Sequence, residues 1–397
     1  MGRSRNSAIN LLLVTLSLVT VDVALQLCDW AAGAYLAGTI NQNHLGLLFD
    51  PGLQAHSKMY DYECQESINS LGIRDYEVSL EKTHQYRIAA IGDSFTYGWG
   101  VNIEDTWCKR LERNLRKQGI DAEVLNLGMP AAGPQQYAQL AEVAIPLLKP
   151  DLVIVCILNG DDLQQCFSPL LLVRDHYINL VRLATHLRSV GRRAGPRPSK
   201  KSPEEMQNWY ADAARGILEG MGGKMRRNYD ALEPGVKAVF LEGKLNPWLI
   251  SHSTSEPDYF MNTIDIRDLW LEIRMMGRFL KQSRKAAECS NARIIAVSVP
   301  EGFYVNKEAY HNVQRIGFEV VPEMLLTPVV DQAVKIACDR AGISFYGTTE
   351  PMRRYLDEPG LYFELDRHLS PRGNALFAEL ITPFVLEQIA TLGNPGQ

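Results

Sequence analysis

The run DLVIVCIL, Asp151 to Leu158, decides the fold. Its apolar residues follow one another without the polar alternation of a half-exposed strand, so both of its faces must be covered. A central strand of a parallel sheet reads this way. Before it, QQYAQLAEVAIPLLKP (135–150) reads as a helix and AEVLNLG (122–128) as a strand. DTWCKRLERNLRKQG (105–119) is a helix closed by Gly119, preceded by YRIAAI (86–91) as the first strand. After it, LWLEIRMMGRFLKQSRKAAECS (269–290) is a helix and ARIIAVSVP (292–300) a strand. TPVVDQAVKIACDRAG (327–342) has Thr327 placed to cap, Pro328 at the first helical position and Gly342 to end it. ISFYG (343–347) follows as a strand, and SPRGNALFAELITPFVLEQI (370–389) closes the domain as a helix capped by Ser370.

This alternation predicts an α/β fold: a three-layer, doubly wound (flavodoxin-like) parallel sheet of about five strands with an insertion after the third. The insertion spans about residues 164–262. It holds the basic run RSVGRRAGPRPSKKSPEE (188–205), then a helical and an aromatic region ending in SEPDYFMN (255–262). A lid, a partner surface and a solvated loop all fit that composition. One large domain over 86–397, a connecting segment over 41–85 and an N-terminal segment over 1–40 account for the 397 residues. With 46% hydrophobic and 22% charged residues and a net charge of −5, the chain has a globular composition and no pull toward nucleic acid. Its seven cysteines show no CxxC spacing, so neither a metal site nor a disulfide framework is expected, and no motif calls for a cofactor.

MGRSRNSAINLLLVTLSLVTVDVALQLC (1–28) places Arg3 and Arg5 before an uncharged stretch from Asn6 to Val21. A signal peptide, an uncleaved anchor and a buried helix all fit; Asp22 costs roughly 2.5 to 3.5 kcal/mol in a spanning helix. We read a membrane anchor whose leading arginines keep the N-terminus in the cytoplasm and put the rest outside.

Chemistry in such a sheet gathers at the carboxyl ends of the strands. Four reactive segments fall there: Asp93 and Ser94 in IGDSFTYGWG, the NLGMPAAG loop (126–133), the NGDD turn (159–162), and DRH (366–368). A serine on a tight turn leaving a buried strand exposes its Oγ beside a helix start, which favours developing negative charge. It needs a base, and the base an orienting carboxylate. In an extended segment Asp366 and His368 project to one side, so Asp366 would hold the tautomer while His368 takes the proton of Ser94.

GDSFTYGWG resembles the first block of the SGNH (GDSL-type) hydrolase superfamily, and DRHLSPRG its last block. NSLGIRDYE (69–77), VLNLGMPAAGPQQY (124–137) and PDLVIVCILNGDDL (150–163) are similar to the membrane-anchored, bacterial-type branch, so the resemblance runs from about Asn69 to Ile389. It implies an esterase site with Ser94, His368 and Asp366 as triad. It also implies an oxyanion hole from the Ser94 N–H, a second-block glycine N–H and a third-block asparagine. Two positions depart from the pattern. Ala131 stands where that glycine is expected, five residues after Asn126 and flanked by Gly128 and Gly133. Asp161 stands at the asparagine position, where an ionised carboxylate accepts hydrogen bonds and repels an oxyanion. Either Asn159 reaches in instead, or Asp161 is kept protonated, or the hole has two donors. The single residue between Asp366 and His368 resembles the spacing in exopolysaccharide O-acetyltransferase relatives, and Glu364 is a reserve carboxylate.

The expected function is hydrolysis of a small acyl ester, such as an acetyl group on a cell-envelope or exported glycan. An O-acetyltransferase using the same triad, and a non-catalytic membrane-anchored binding protein, are the alternatives.

Overall fold

The computed structural model describes residues 17, 47–49, 51–166 and 200–392. The N-terminal apolar segment and most of the basic run of the insertion lie outside the described residues. Among the described residues no helix is long and apolar enough to cross a membrane.

A hairpin of β1 (Gln54–Lys58) and β2 (Glu63–Ser67) comes first. β3 (Tyr86–Gly92) runs into the four-residue α1 (Ser94–Tyr97), followed by α2 (Trp107–Lys117) and β4 (Ala122–Gly128). Then come α3 (Pro134–Leu148), β5 (Leu152–Leu158) and α4 (Asn159–Gln165). The described part of the insertion supplies α5 (Pro203–Gly220), α6 (Gly223–Ala231), α7 (Pro234–Leu241) and α8 (Pro247–Ser255). The alternation resumes with α9 (Trp270–Cys289), β6 (Arg293–Val299), α10 (Lys307–Arg315) and α11 (Val329–Ala341). It ends with β7 (Ser344–Tyr346), α12 (Thr349–Arg353) and α13 (Pro371–Ala390).

The main sheet has five parallel strands in the order β4-β3-β5-β6-β7, as the alternation predicts. β5 sits in the middle and is buried along its whole length. Leu152, Ile154, Cys156 and Leu158 join one core with Trp107 and Leu111 of α2 and Phe377 and Ile381 of α13. Val153, Val155 and Ile157 join the other, with Tyr137 and Ile145 of α3, Met276 of α9 and Val334 of α11. Two covered faces explain why the strand carries no polar alternation. Thr106 and Ser370 cap α2 and α13 by accepting from Lys109 N–H and Gly373 N–H. α11 starts one residue later than its sequence suggests: Pro328 is the cap residue, and Thr327 Oγ1 accepts from Val329 N–H at 3.2 Å.

The stretch ahead of β3 is more than a tether. Arg74 and Asp75 are almost fully buried. Arg74 donates from Nη1 to the carbonyls of Tyr97 (2.8 Å) and Gly98 (2.5 Å) and from Nη2 to that of Val101 (2.5 Å). Asp75 accepts from Asn126 N–H at 2.9 Å and pairs with Lys109 at 2.7 Å. The pair thereby fixes the chain that follows Ser94 to β4 and α2.

Candidate active site

Ser94 opens α1 immediately beyond the carboxyl end of β3, with Asp93 capping the turn by accepting from Phe95 N–H at 2.9 Å. The turn lies flat on β4 because Gly128 has no side chain there: a Cβ would sit 2.0 Å from the Tyr97 nitrogen. Ser94 is half-buried, so its hydroxyl is held by the fold and still open to a reactant.

His368, 274 residues further along, meets it, with Nε2 2.7 Å from Ser94 Oγ. His368 Nδ1 lies 2.5 Å from Asp366 Oδ1. The three residues named from sequence as nucleophile, base and orienting acid are therefore in one hydrogen-bonded row. The route to it differs from the expected extended segment. Arg367 has φ 73°, in the left-handed region, and Phe363 N–H donates to the His368 carbonyl at 2.8 Å, so a tight turn folds both side chains to one side. Phe95 and Trp99 pack on the imidazole with ring centroids 4.9 and 5.9 Å away, and Trp99 Nε1–H donates to Asp366 Oδ2 at 3.3 Å. Glu364 is no reserve for this row, since its carboxylate pairs with Arg315 at 2.5 Å.

The expected oxyanion donors fare unevenly. Ala131 is exposed with φ 61°, a left-handed conformation that suits the glycine whose place it takes. Asn159 does not reach in: it is fully buried, and its Nδ2 donates to Thr349 Oγ1 (2.9 Å) and Asp331 Oδ1 (3.1 Å). Asp162 is also turned into the fold, accepting from Leu158 N–H at 3.0 Å and the Tyr137 hydroxyl at 3.1 Å. That leaves Asp161, half-buried, whose Oδ2 accepts from Gln165 Nε2 at 2.7 Å and whose carboxylate also bonds the Tyr259 hydroxyl of the insertion.

The surroundings are rich in carboxylates. Burial pushes Asp93 up to about 7, reinforced by Asp161 and Glu301 and opposed by the Phe95 N–H and by His368. Burial likewise raises Glu301, which is fully enclosed and pairs with Arg367 at 2.8 Å. The Arg367 guanidinium in turn lies 5.7 Å from the ring centre of Phe260, in the insertion, and 5.0 Å from that of Phe318. Tyr259 and Phe260 thus bring the insertion up against the site. A hydroxyl, an imidazole and a carboxylate in this order can transfer the hydroxyl proton as the oxygen attacks a carbonyl.

Residues 90–239 match the model of the GDSL-like lipase/acylhydrolase family. Together with the triad geometry, this match supports an ester-hydrolysing enzyme. The matched residues hold the Ser94 turn, the Ala131 loop and Asp161; the Asp366–His368 turn lies beyond them and is tied to Ser94 by the 2.7 Å contact of His368 Nε2 with Ser94 Oγ. Among solved structures, the chain is similar to a putative lipolytic protein of the G-D-S-L family from Desulfitobacterium hafniense DCB-2, at 12% identity and TM-score 0.34 over 75% of this chain and 98% of that one. It is similar to the acetyl xylan esterase AlAXEase, at 11% identity and TM-score 0.36 over 76% and 98%. A lipase/acylhydrolase from Enterococcus faecalis gives 11% identity and TM-score 0.37 over 76% and 96%. No curated protein matches the chain.

Sequence reasoning missed Asp61, Trp99, Glu301 and Arg367 around the triad. Arg367 carried no local signal, since an extended segment also turns residues two apart to one side and calls for no left-handed residue between them. Asp61 and Glu301 carried none, because only the fold brings them in.

Proposed function

We propose that the protein is a serine esterase hydrolysing a small acyl ester through Ser94, His368 and Asp366, with an O-acetylated cell-envelope or exported glycan as substrate. The observation that carries this is the 2.7 Å separation of Ser94 Oγ and His368 Nε2, with Asp366 2.5 Å from the other ring nitrogen. Ser94 Oγ attacks the acyl carbon as His368 takes its proton, and His368 then gives that proton to the departing alcohol oxygen. Water enters, loses a proton to His368 and attacks the acyl-Ser94 carbon; the acid leaves and Ser94 regains its proton. Asp366 stays ionised throughout and steadies the imidazolium.

In this reading the oxyanion is held by the Ser94 N–H and the Ala131 N–H, with Asp161 a handicap rather than a third donor. The arginine-led apolar N-terminal segment supports a membrane-anchored enzyme with its catalytic domain outside the cytoplasm. The test is turnover of p-nitrophenyl acetate by the full chain in detergent, compared with Ser94→Ala. No turnover, or equal turnover by the variant, rejects the reading.

Acyl transfer to a sugar hydroxyl is the second reading, favoured by the wall that Tyr259 and Phe260 of the insertion bring to the site, since shielding from water is what a transferase requires. Partition of the acyl group between water and an added glycan separates the two.

A further inference from the structure

Asp61 lies in the turn between β1 and β2, remote in sequence from every block that marks the site. Its Oδ2 accepts from Leu365 N–H at 2.8 Å and from Asp366 N–H at 2.7 Å. One carboxylate oxygen thus holds two successive amides at the start of the turn that places Asp366 and His368. The turn carrying Asp61 is itself pinned. Met59 N–H donates to the Tyr62 carbonyl at 2.8 Å, and Tyr60 N–H donates to the Lys244 carbonyl of the insertion at 2.9 Å. The Tyr62 ring packs on Phe363, centroids 5.2 Å apart. Gly100, in the left-handed region with φ 79°, lets the two rings close up, because a Cβ there would come within 2.7 Å of Phe363 and 2.9 Å of Tyr62.

We propose that Asp61 is a positioning residue of the esterase site: it fixes the backbone on which the carboxylate of Asp366 and the imidazole of His368 are aimed at Ser94. The inference rests on the triad reading above. Its physical basis is that a carboxylate accepting two backbone amides is a strong, directional tie, and that reacting groups out of place by about 1 Å lose on the order of 100-fold in rate. Asp61 also adds a negative charge beside the Asp366–His368 pair. Burial raises Asp61 to about 6, opposed by the Leu365 and Asp366 amides and reinforced by the carboxylates of Asp366 and Glu364; the latter is paired with Arg315. Falling pH through that value weakens the tie and the negative field together.

The test is the pH dependence of Ser94 modification by a fluorophosphonate probe, followed in the full chain for wild type, Asp61→Ala and Asp61→Asn. Asp61→Ala removes the tie and is expected to slow labelling about 100-fold. Asp61→Asn keeps an acceptor oxygen for both amides and loses the charge. It is expected to label within about tenfold of wild type and to keep more of its rate than wild type as pH falls through about 6, since it has no carboxylate to protonate. Wild-type labelling is the control: its absence rejects the triad reading itself. Labelling of wild type with equal rates in Asp61→Ala overturns the positioning role, and so does an acid limb in Asp61→Asn that coincides with that of wild type.

Discussion

Replacing Asp161 by asparagine should make the enzyme faster. On the proposed reading Asp161 stands where a hydrogen-bond donor to the oxyanion is wanted, and its carboxylate already accepts from Gln165 Nε2 at 2.7 Å and from the Tyr259 hydroxyl. In Asp161→Asn the amide oxygen keeps the Gln165 bond, and the amide nitrogen takes the place of the second carboxylate oxygen. One oxyanion-hole donor is worth about 100- to 1,000-fold in rate. Part of that is lost here, because the Tyr259 hydroxyl, left without its acceptor, competes for the new N–H. A gain of about 10- to 100-fold in kcat/KM is therefore expected, equivalent to about 1.4 to 2.7 kcal/mol of transition-state stabilisation. The assay is p-nitrophenyl acetate hydrolysis at fixed alkaline pH, with Asp161→Ala alongside to separate loss of charge from gain of a donor; the alanine variant should gain less. An asparagine variant that melts like wild type and is no faster would falsify the placement of Asp161 at the acyl oxygen.

Arg74→Met strands the Val101 carbonyl in the interior at about 1 to 3 kcal/mol and leaves those of Tyr97 and Gly98 with only the Asn126 amide and the Val101 N–H, each at 3.3 Å. Urea denaturation should show a clearly lowered midpoint, with Arg74→Lys in between; an unshifted midpoint contradicts the clamp. Ala131→Gly relieves a φ of 61° while loosening the unfolded chain, for a net stabilisation of no more than about 1 kcal/mol, read as a slightly raised Tm. A lowered Tm would show that the Ala131 methyl packs usefully. Burial raises Asp93 from 3.8 to about 7, so the stability it contributes is complete below 3.8 and is lost as pH rises through 7. Asp93→Asn keeps an acceptor for Phe95 N–H without the titration, so its Tm relative to wild type should climb across that window; a constant difference argues against the shift.

The sheet was readable because β5 and its neighbours are buried on both faces, and such strands write themselves as unbroken apolar runs. Ser94, Asp366 and His368 were readable because each follows a strand or precedes a capped helix at the sheet's reactive edge. Asn159 was misread for a related reason. NGDD sits at that edge, but the direction of each side chain depends on the helical turn of α4, which points Asn159 at Asp331 and Thr349 and leaves Asp161 outward. The extended reading of DRH failed because no local pattern announces a left-handed Arg367; its partner Glu301 and the rings of Phe260 and Phe318 come from distant elements. Asp61 and Arg74 lie ahead of β3, in a stretch whose composition resembles a connector and whose burial only tertiary structure supplies.

The account turns on Ser94 as the nucleophile. Incubating the protein with a fluorophosphonate and mapping the adduct by mass spectrometry tests this directly. A single adduct on Ser94, absent in Ser94→Ala and strongly slowed in His368→Ala, is the predicted result; no adduct, or one on another residue, contradicts it.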